Sequence, residues 1–306
     1  PVQSLERARV MVQASRKALS NEAFNILLHP GTHRLTNGVA FTALDSGTAD
    51  APLNILAWTS ASATGRPVLM GGVEVHGWKR SSFNSLTNVY EADLDRLSIT
   101  KPFKQVFLNG RRLEWARYPN ADPARPYSGG WAFVDGVRPP MYKDIEGERT
   151  DTVVLRAKDV RPWARPQDGE VCIFPRYNWW NRIEKIAAYE VQTRTLTLAK
   201  KMQYAARPED RFCVMGMREE LDAPGEWYQD VDNRKLYLIP PAGADLSKDS
   251  VTVPTANDIL TFNKAHHVRI CRLELTCAEQ HAIRFTDCDY AVLEQCSIHD
   301  TGYFNG

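Results

Sequence analysis

Apolar and polar positions change period twice along this chain. Residues 4–19 follow a helical period: Leu5, Ala8, Val12 and Leu19 fall on one face, with Met11 and Ala18 beside them. Arg7, Arg9, Arg16 and Lys17 lie elsewhere, Ser4 can cap the N-terminus, and Glu6 suits the positive end of the helix dipole. Short alternating runs follow, each bounded by turn residues. They are 24–29 before Pro30-Gly31-Thr32, 39–44 before Asp45-Ser46-Gly47-Thr48, 53–58 after Ala51-Pro52, and 67–70 before Gly71-Gly72. From about 101 to 245 the rhythm breaks and the strands lengthen, as at 171–174, 183–191 and 195–198. Residues 105–108 end at an Asn109-Gly110 turn, and 227–228 and 235–239 flank Asp232-Asn233 as a hairpin.

The last fifty or so residues repeat with a period of 23. Ile259-Leu260-Thr261-Phe262 aligns with Ala282-Ile283-Arg284-Phe285, and Val268, Ile270, Leu273 and Leu275 align with Ala291, Leu293, Cys296 and Ile298. A period of about 20–30 residues made of short strands is the signature of a coil stacked on a coil. It predicts a mainly β chain: a parallel β-helix (solenoid) with a cap helix and an antiparallel β insertion domain. The expected segments are 1–100 for the cap and first coils, 101–245 for the insertion, and 246–306 for the resumed coils. The array is expected to be interrupted at Gly306 with its last face uncovered.

Composition narrows the function without naming it. At 306 residues, 43% hydrophobic and 25% charged, the chain reads as one large or two moderate globular domains. A net charge of +1 gives no electrostatic case for nucleic-acid binding. No apolar run approaches the roughly 18 residues that span a membrane. The six cysteines form no CxxC pair and no Cys/His zinc spacing. In the repeat register Cys288 lies over Ala265 and Cys296 over Leu273, so they read as small buried hydrophobes. No HExxH, phosphate-binding loop or nucleophile elbow occurs, so no metal and no cofactor is expected.

The aromatic group Tyr177-Asn178-Trp179-Trp180 is flanked by Arg176 and Arg182. Side chains alternate along a strand, so adjacent tryptophans cannot both point inward. The group reads either as a loop leaning over a groove or as an aromatic plug between domains. The stretch from Arg111 to Asn120, with its Arg–Glu alternation, reads as a structural ion-pair strip rather than a binding site, and Trp131, after Gly129-Gly130, as a mobile loop aromatic. His266, His267 and His281 are expected at corners. Among the carboxylates near the repeat (Glu274, Glu279, Asp287, Asp289, Glu294 and Asp300), Asp287 and Asp289 fall at corners. Asp300 ends a strand at a turn within His299-Asp300-Thr301-Gly302-Tyr303, well placed to line a groove.

Taken together, "HPGTHRL", "DSGTADAPLNI", "PVLMGGVEVHGW", "FLNGRRLEWARYPN", "LDAPGEWYQDVDNRKLYLIPP" and the 23-residue coils resemble the N-terminal half of right-handed parallel β-helix carbohydrate-active enzymes. Glycoside hydrolase families 141 and 120, with fucosidase, xylanase and β-xylosidase activities, are the nearest. The resemblance implies a secreted or periplasmic glycosidase acting on a plant or algal polysaccharide or oligosaccharide through two carboxylates. It also implies catalytic carboxylates on later coils, beyond Gly306, so that the family's catalytic pair falls on no residue here; Asp300 is a catalytic candidate only from its place after a strand. The substrate-binding candidates are Arg176, Tyr177, Trp179, Trp180, His299 and Tyr303. The alternatives are a polysaccharide lyase on the same fold and a non-catalytic carbohydrate-binding protein. No nucleic-acid or membrane partner is expected.

Overall fold

The structure, a computed structural model, describes residues 2–19, 21–59, 65–83 and 88–302. The chain is mainly β, with one α-helix among the described residues. Its internal contacts divide it into two units. The first comprises Pro1–Glu74, Phe103–Arg112 and Ser250–Tyr303, and the second is built from Val75–Pro102 and Leu113–Asp249. These limits differ from the expected segments: residues 75–102 pack with the middle of the chain, and 103–112 pack with its two ends.

The helix spans Leu5–Arg16, and the Ser4 hydroxyl accepts from the Arg7 amide at 3.1 Å. It ends before the expected limit, and Leu19, placed on the apolar face by the pattern, is 51% exposed. Leu5 and Val12 are buried with Ile26, Leu28, Val39 and Phe41, so the helix covers the first strands of unit one.

Three parallel sheets form most of the rest of that unit, beside a smaller sheet in which Phe107–Leu108 pairs antiparallel with Arg111–Arg112 and with Val251–Pro254. The first stacks Phe24–Leu28, Leu53–Ala57, Val268–Cys271 and Val292–Glu294. The second stacks Gly31–Arg34, Pro67–Met70, Glu274–Thr276 and Ser297–Ile298. The third stacks Val39–Phe41, Asp258–Asn263 and His281–Thr286. The chain visits the sheets in the order one, two, three, and then begins again. In the last two passages the strands are offset by 23 residues, as in Leu260 on Ile283 and Leu275 on Ile298. Inward rows stack like on like, and the rings of Phe41, Phe262 and Phe285 follow one another at 4.6 and 5.0 Å. Cys271 and Cys277 are buried, Cys288 and Cys296 are half-buried, and all are free thiols.

The corners between sheets need no glycine. Lys264, His267, Arg272 and Cys277 all have left-handed φ, from 52 to 61°. So do Asp287, Tyr290, Gln295 and Asp300, each 23 residues on. Gly31 and Thr32, read with Pro30 as a turn, instead open a strand of the second sheet, Gly31–Arg34.

The second passage is interrupted after Met70. The Gly71 carbonyl accepts from the amides of Thr255 (3.0 Å) and Ala256 (2.8 Å), so exit and re-entry are bonded together. The passage is then completed by Asp258–Asn263 on the third sheet. Both glycines are required by close approach rather than by φ. A Cβ at Gly71 would lie 2.7 Å from the Cys277 carbonyl oxygen, and one at Gly72 would overlap the Val253 carbonyl oxygen and the Cys277 sulfur.

Unit two is largely antiparallel. One sheet orders Arg117–Tyr118, Arg211–Met215, Glu170–Ile173, Arg182–Glu190, Thr195–Leu198 and Thr152–Val154, with Ala132–Phe133 also on Arg211–Met215. Its core holds Trp163, Ile173, Ile186, Phe212 and Val214. The other sheet carries Lys79–Ser81, Val89–Asp93, Lys235–Leu238 and Glu226–Asp230, with Glu114–Trp115 as a parallel edge. The hairpin about Asp232-Asn233 forms as read. Trp131 is not a mobile aromatic: it is half-buried between the guanidinium groups of Arg117 and Arg211, each 5.2 Å from its ring. Glu226, within the "LDAPGEWYQD" stretch, is buried and accepts from the amides of Asp222 and Ala223, both at 3.1 Å. Burial pushes its carboxyl up to about 7, against the lowering effect of those amides.

Two expectations follow. Gly72→Ala destabilises the protein by about 1–3 kcal/mol, read as a lower urea midpoint, because the added methyl meets backbone that cannot yield; an unchanged midpoint contradicts this packing. The folded state holds the Glu226 proton up to about pH 7, and the unfolded chain loses it near its ordinary value of about 4.3. Stability therefore falls with rising pH across that window, and Glu226→Gln flattens the slope in urea titrations taken at a series of pH values.

Candidate functional site

On the second parallel sheet of unit one, Leu275 is buried in the core, so its neighbours Glu274 and Thr276 point to the opposite face, where Glu274 is half-exposed and Thr276 is covered. The register continues Glu274 onto Ser297 and Leu275 onto Ile298, which brings His299 level with Thr276. The two rings of contact around His299 define the site. Its Nδ1 lies 2.9 Å from Asp300 Oδ2, and its Nε2 lies 3.2 Å from Glu274 Oε1. Thr276 Oγ1 is 3.5 Å from Nδ1. The left-handed φ of Asp300 (51°) turns the backbone at the corner, while its carbonyl accepts from the Cys277 amide at 3.1 Å.

Two carboxylates on opposite ring nitrogens dictate the charge of the imidazole. A carboxylate only accepts, a neutral imidazole has one donor, and an imidazolium has two. Hydrogen bonding by Asp300, and then by Glu274, accordingly raises His299 above its ordinary value. The arrangement is an imidazole held between two carboxylate groups that favour its protonated form, all three in reach of solvent. It offers carboxylate oxygens as acceptors to hydroxyl groups of a ligand and holds Asp300 in a fixed direction.

Arg112 borders the cluster. Its Nε is 3.9 Å from Asp300 Oδ1, and its Nη1 donates to the Gly302 carbonyl at 3.5 Å. In the strip that begins at Arg111, Arg112 finds its carboxylate outside the strip, in Asp300. Glu279 serves the same hairpin: its carboxylate accepts from the Lys104 amide at 2.9 Å, and the Gln105 side-chain amide donates to the Ala278 carbonyl at 2.9 Å. Burial raises the Glu279 carboxyl above the usual range. Asp287 and Asp289 are exposed at corners, and Glu294 is paired with Arg269. His281 is not a corner residue but the first residue of a strand, with Nδ1 2.7 Å from the buried Asp258.

The other candidates belong to unit two. The tetrad 177–180 lies in no strand, so the alternation argument does not govern it; Arg176 and Asn178 both take left-handed φ of 60°. Trp179 is 78% exposed and Trp180 47%. Tyr177 is set among Tyr142, Trp179 and Tyr204, with ring centroids 5.1 to 6.1 Å away. Arg176 is occupied by Asp144 (2.8 Å) and the Met141 carbonyl, and Arg182 by Glu184 (2.9 Å), so both guanidinium groups brace the loop. The structure therefore groups His299 with Asp300, and Arg176 with Tyr177 and Trp179, in separate units. Tyr303 lies outside the described residues. Glu274, Thr276 and Arg112 complete the cluster; the 23-residue register could have found the first two, because both share the outer face with His299. Among the described residues no group of three or more His, Cys, Asp or Glu is arranged to hold a metal ion.

No protein-family model and no curated protein matches the chain. Solved structures do. A glycoside hydrolase is similar over 92% of this chain and 48% of its own, with TM-score 0.71 and 20% identity. XylC in complex with xylose aligns over 98% of this chain and 38% of its own, with 12% identity and a TM-score of 0.45, too low to carry an argument. The chain thus shares the fold of a solved glycoside hydrolase and spans about half the length of that structure.

The ring of His299 should titrate above the ordinary histidine value of about 6.5 in NMR spectra. Asp300→Asn should return it toward that value, and a ring already titrating at or below 6.5 in the parent contradicts the bridge. A raised folded-state value stabilises below about pH 6.5 and loses that contribution as pH rises through the folded value.

Proposed function

We propose that this chain is part of a secreted or periplasmic glycoside hydrolase that acts on a plant or algal polysaccharide or oligosaccharide, with xylan-type and fucose-bearing glycans first among the substrates. Unit one is read as a right-handed parallel β-helix, whose second sheet presents the substrate face. The observation that carries the reading is the fixed trio of Glu274, His299 and Asp300 at the outer end of stacked strands, in a chain with the fold of a solved glycoside hydrolase.

The proposed mechanism is the two-carboxylate one. One carboxylic acid protonates the departing glycosidic oxygen, and a carboxylate on the other side acts as nucleophile or as base toward water. Asp300 is the candidate for the second role. The His299 ring holds one Asp300 oxygen through Nδ1 and so fixes the direction of the carboxyl group, and Glu274 accepts sugar hydroxyls beside it. The exposed indoles of Trp179 and Trp180 are proposed to receive sugar rings.

The test is reducing-end release by the full-length protein across a panel of plant and algal glycans. The expected result is release from at least one of them, cut about 100-fold or more by Asp300→Asn, the scale of a lost acid–base group. Inactivity on every glycan contradicts the hydrolase reading, and unsaturated products absorbing in the ultraviolet assign the fold to a lyase instead.

A further inference from the structure

The two most distinctive stretches of sequence outside the repeat, 72–78 and 220–241, meet at one place in unit two. His76 and Trp78 from the first, and Pro224, Pro240 and Pro241 from the second, line a cleft of about 860 Å³. Asn88, Tyr90 and residues 242–247 complete its wall. That volume falls in the range of small-molecule sites, about 300–1,000 Å³. None of these residues belongs to the His299 cluster or to the aromatic loop at 177–180.

We propose that this cleft binds a neutral oligosaccharide, with pyranose faces against Trp78 and Tyr90 and hydroxyls bonded by His76, Asn88 and Asp245. The walls are set in advance. Trp78 Nε1 donates to the Val75 carbonyl at 3.1 Å, which fixes the indole, and the prolines hold the opposite side with restricted backbone. A preset wall lowers the ordering cost of binding. An indole or phenol ring offers a flat apolar face, while imidazole, amide and carboxylate groups supply both donors and acceptors for hydroxyls.

Charge selects the class of sugar. The described residues lining the cleft include no Lys or Arg and one carboxylate, Asp245. Asp245 is itself held by Lys248 at 2.7 Å and by the Ser247 hydroxyl at 2.6 Å. With Asp245 matched by Lys248, the described lining keeps no spare cation for a uronate, whereas a neutral sugar meets acceptors. Length is argued from the adjoining hollow of about 230 Å³, which shares His76 and Gly77 with the cleft. Two of its cations are already matched, Lys235 to Glu91 at 2.7 Å and Arg96 to Asp93 at 3.3 Å. Lys79, exposed in the same wall, is a third cation against those two carboxylates, so the groove continues past a single ring with one cation beyond the two pairs.

This inference concerns binding, not turnover, and stands on unit two alone. It is tested by calorimetric titration of the full-length protein with xylohexaose, cellohexaose, mannohexaose and a galacturonic acid hexamer. The expected result is saturable binding of at least one neutral hexamer and none of the galacturonate. Trp78→Ala should raise Kd tenfold or more, and Asn88→Ala, at an exposed rim position that leaves the fold intact, should raise it severalfold at unchanged Tm. Val137→Ser, an exposed position of the same unit, should leave Kd unchanged. No saturable binding of any neutral hexamer, preference for the galacturonate, or unaltered Kd in both Trp78→Ala and Asn88→Ala overturns the proposal. Reducing-end release in the same samples reports separately on the hydrolase reading.

Discussion

Leu69, Leu275 and Ile298 stand in one row, and what the second sheet shows to solvent follows from that row. Side chains alternate across a strand, so burying Leu275 commits Glu274 and Thr276 to the outer face. The 23-residue register then places His299 beside Thr276 and within reach of Glu274. A slip of one residue would turn Leu275 outward and take Glu274 into the core, at the cost of a buried carboxylate and a lost apolar contact. The hydrophobic rows therefore hold the polar cluster in place. The Phe41–Phe262–Phe285 stack fixes the third sheet in the same way.

Parallel, in-register stacking has a second consequence. Each outward side chain meets the one at the same position in the next passage, so equal charges would repel along a row. The rows avoid this by complementarity. Within rows Asn54 donates to Asn25 at 2.9 Å and His281 bonds Asp258 at 2.7 Å, and across rows Arg269 reaches Glu294, two positions beyond its register partner Val292. The His299 contacts belong to that series, which gives them a structural role as well. What separates them from the Asp258 group is access to solvent. Asp258 is buried and closed off by His281 and Arg284, whereas Glu274, His299 and Asp300 all reach water.

The period of 23 was legible because aliphatic and phenylalanine positions recur at it, and it carried the register of the last two passages without error. The strand Gly31–Arg34 was not, because its Gly31 and polar His33 and Arg34 imitate a turn. The corners were equally hidden: Lys, His, Arg, Cys, Asp, Tyr and Gln occupy left-handed positions that sequence reasoning reserves for Gly or Asn. In the candidate site, Asp300 and His299 were visible as residues following a strand. Glu274 lay among several carboxylates and stood out only once Leu275 fixed the face. Arg112 could not be assigned, since its partner Asp300 lies far away in sequence and no local spacing encodes the pair.

The exit at Gly71-Gly72 shows why such an array tolerates a long excursion. Closing a loop costs free energy that grows only with the logarithm of its length, so most of the penalty is set by holding the two ends together. Here that is done by local bonds within unit one: Thr255 and Ala256 both donate to Gly71, whose own amide donates to Thr276 at 3.1 Å. The passage that was left unfinished at Met70 resumes on the third sheet at Asp258, under the same stacking rows as before. The intervening chain has its own cores, around Phe212 and Trp163 and around Phe83, Tyr228 and Tyr237. The array therefore requires little more of the inserted chain than that its ends return together. Beyond its ends, the inserted chain meets the array through 103–112, where Gln105 donates to the Ala278 carbonyl and Arg112 pairs with Asp300. The missing side chains of the two glycines let exit, re-entry and the next passage touch.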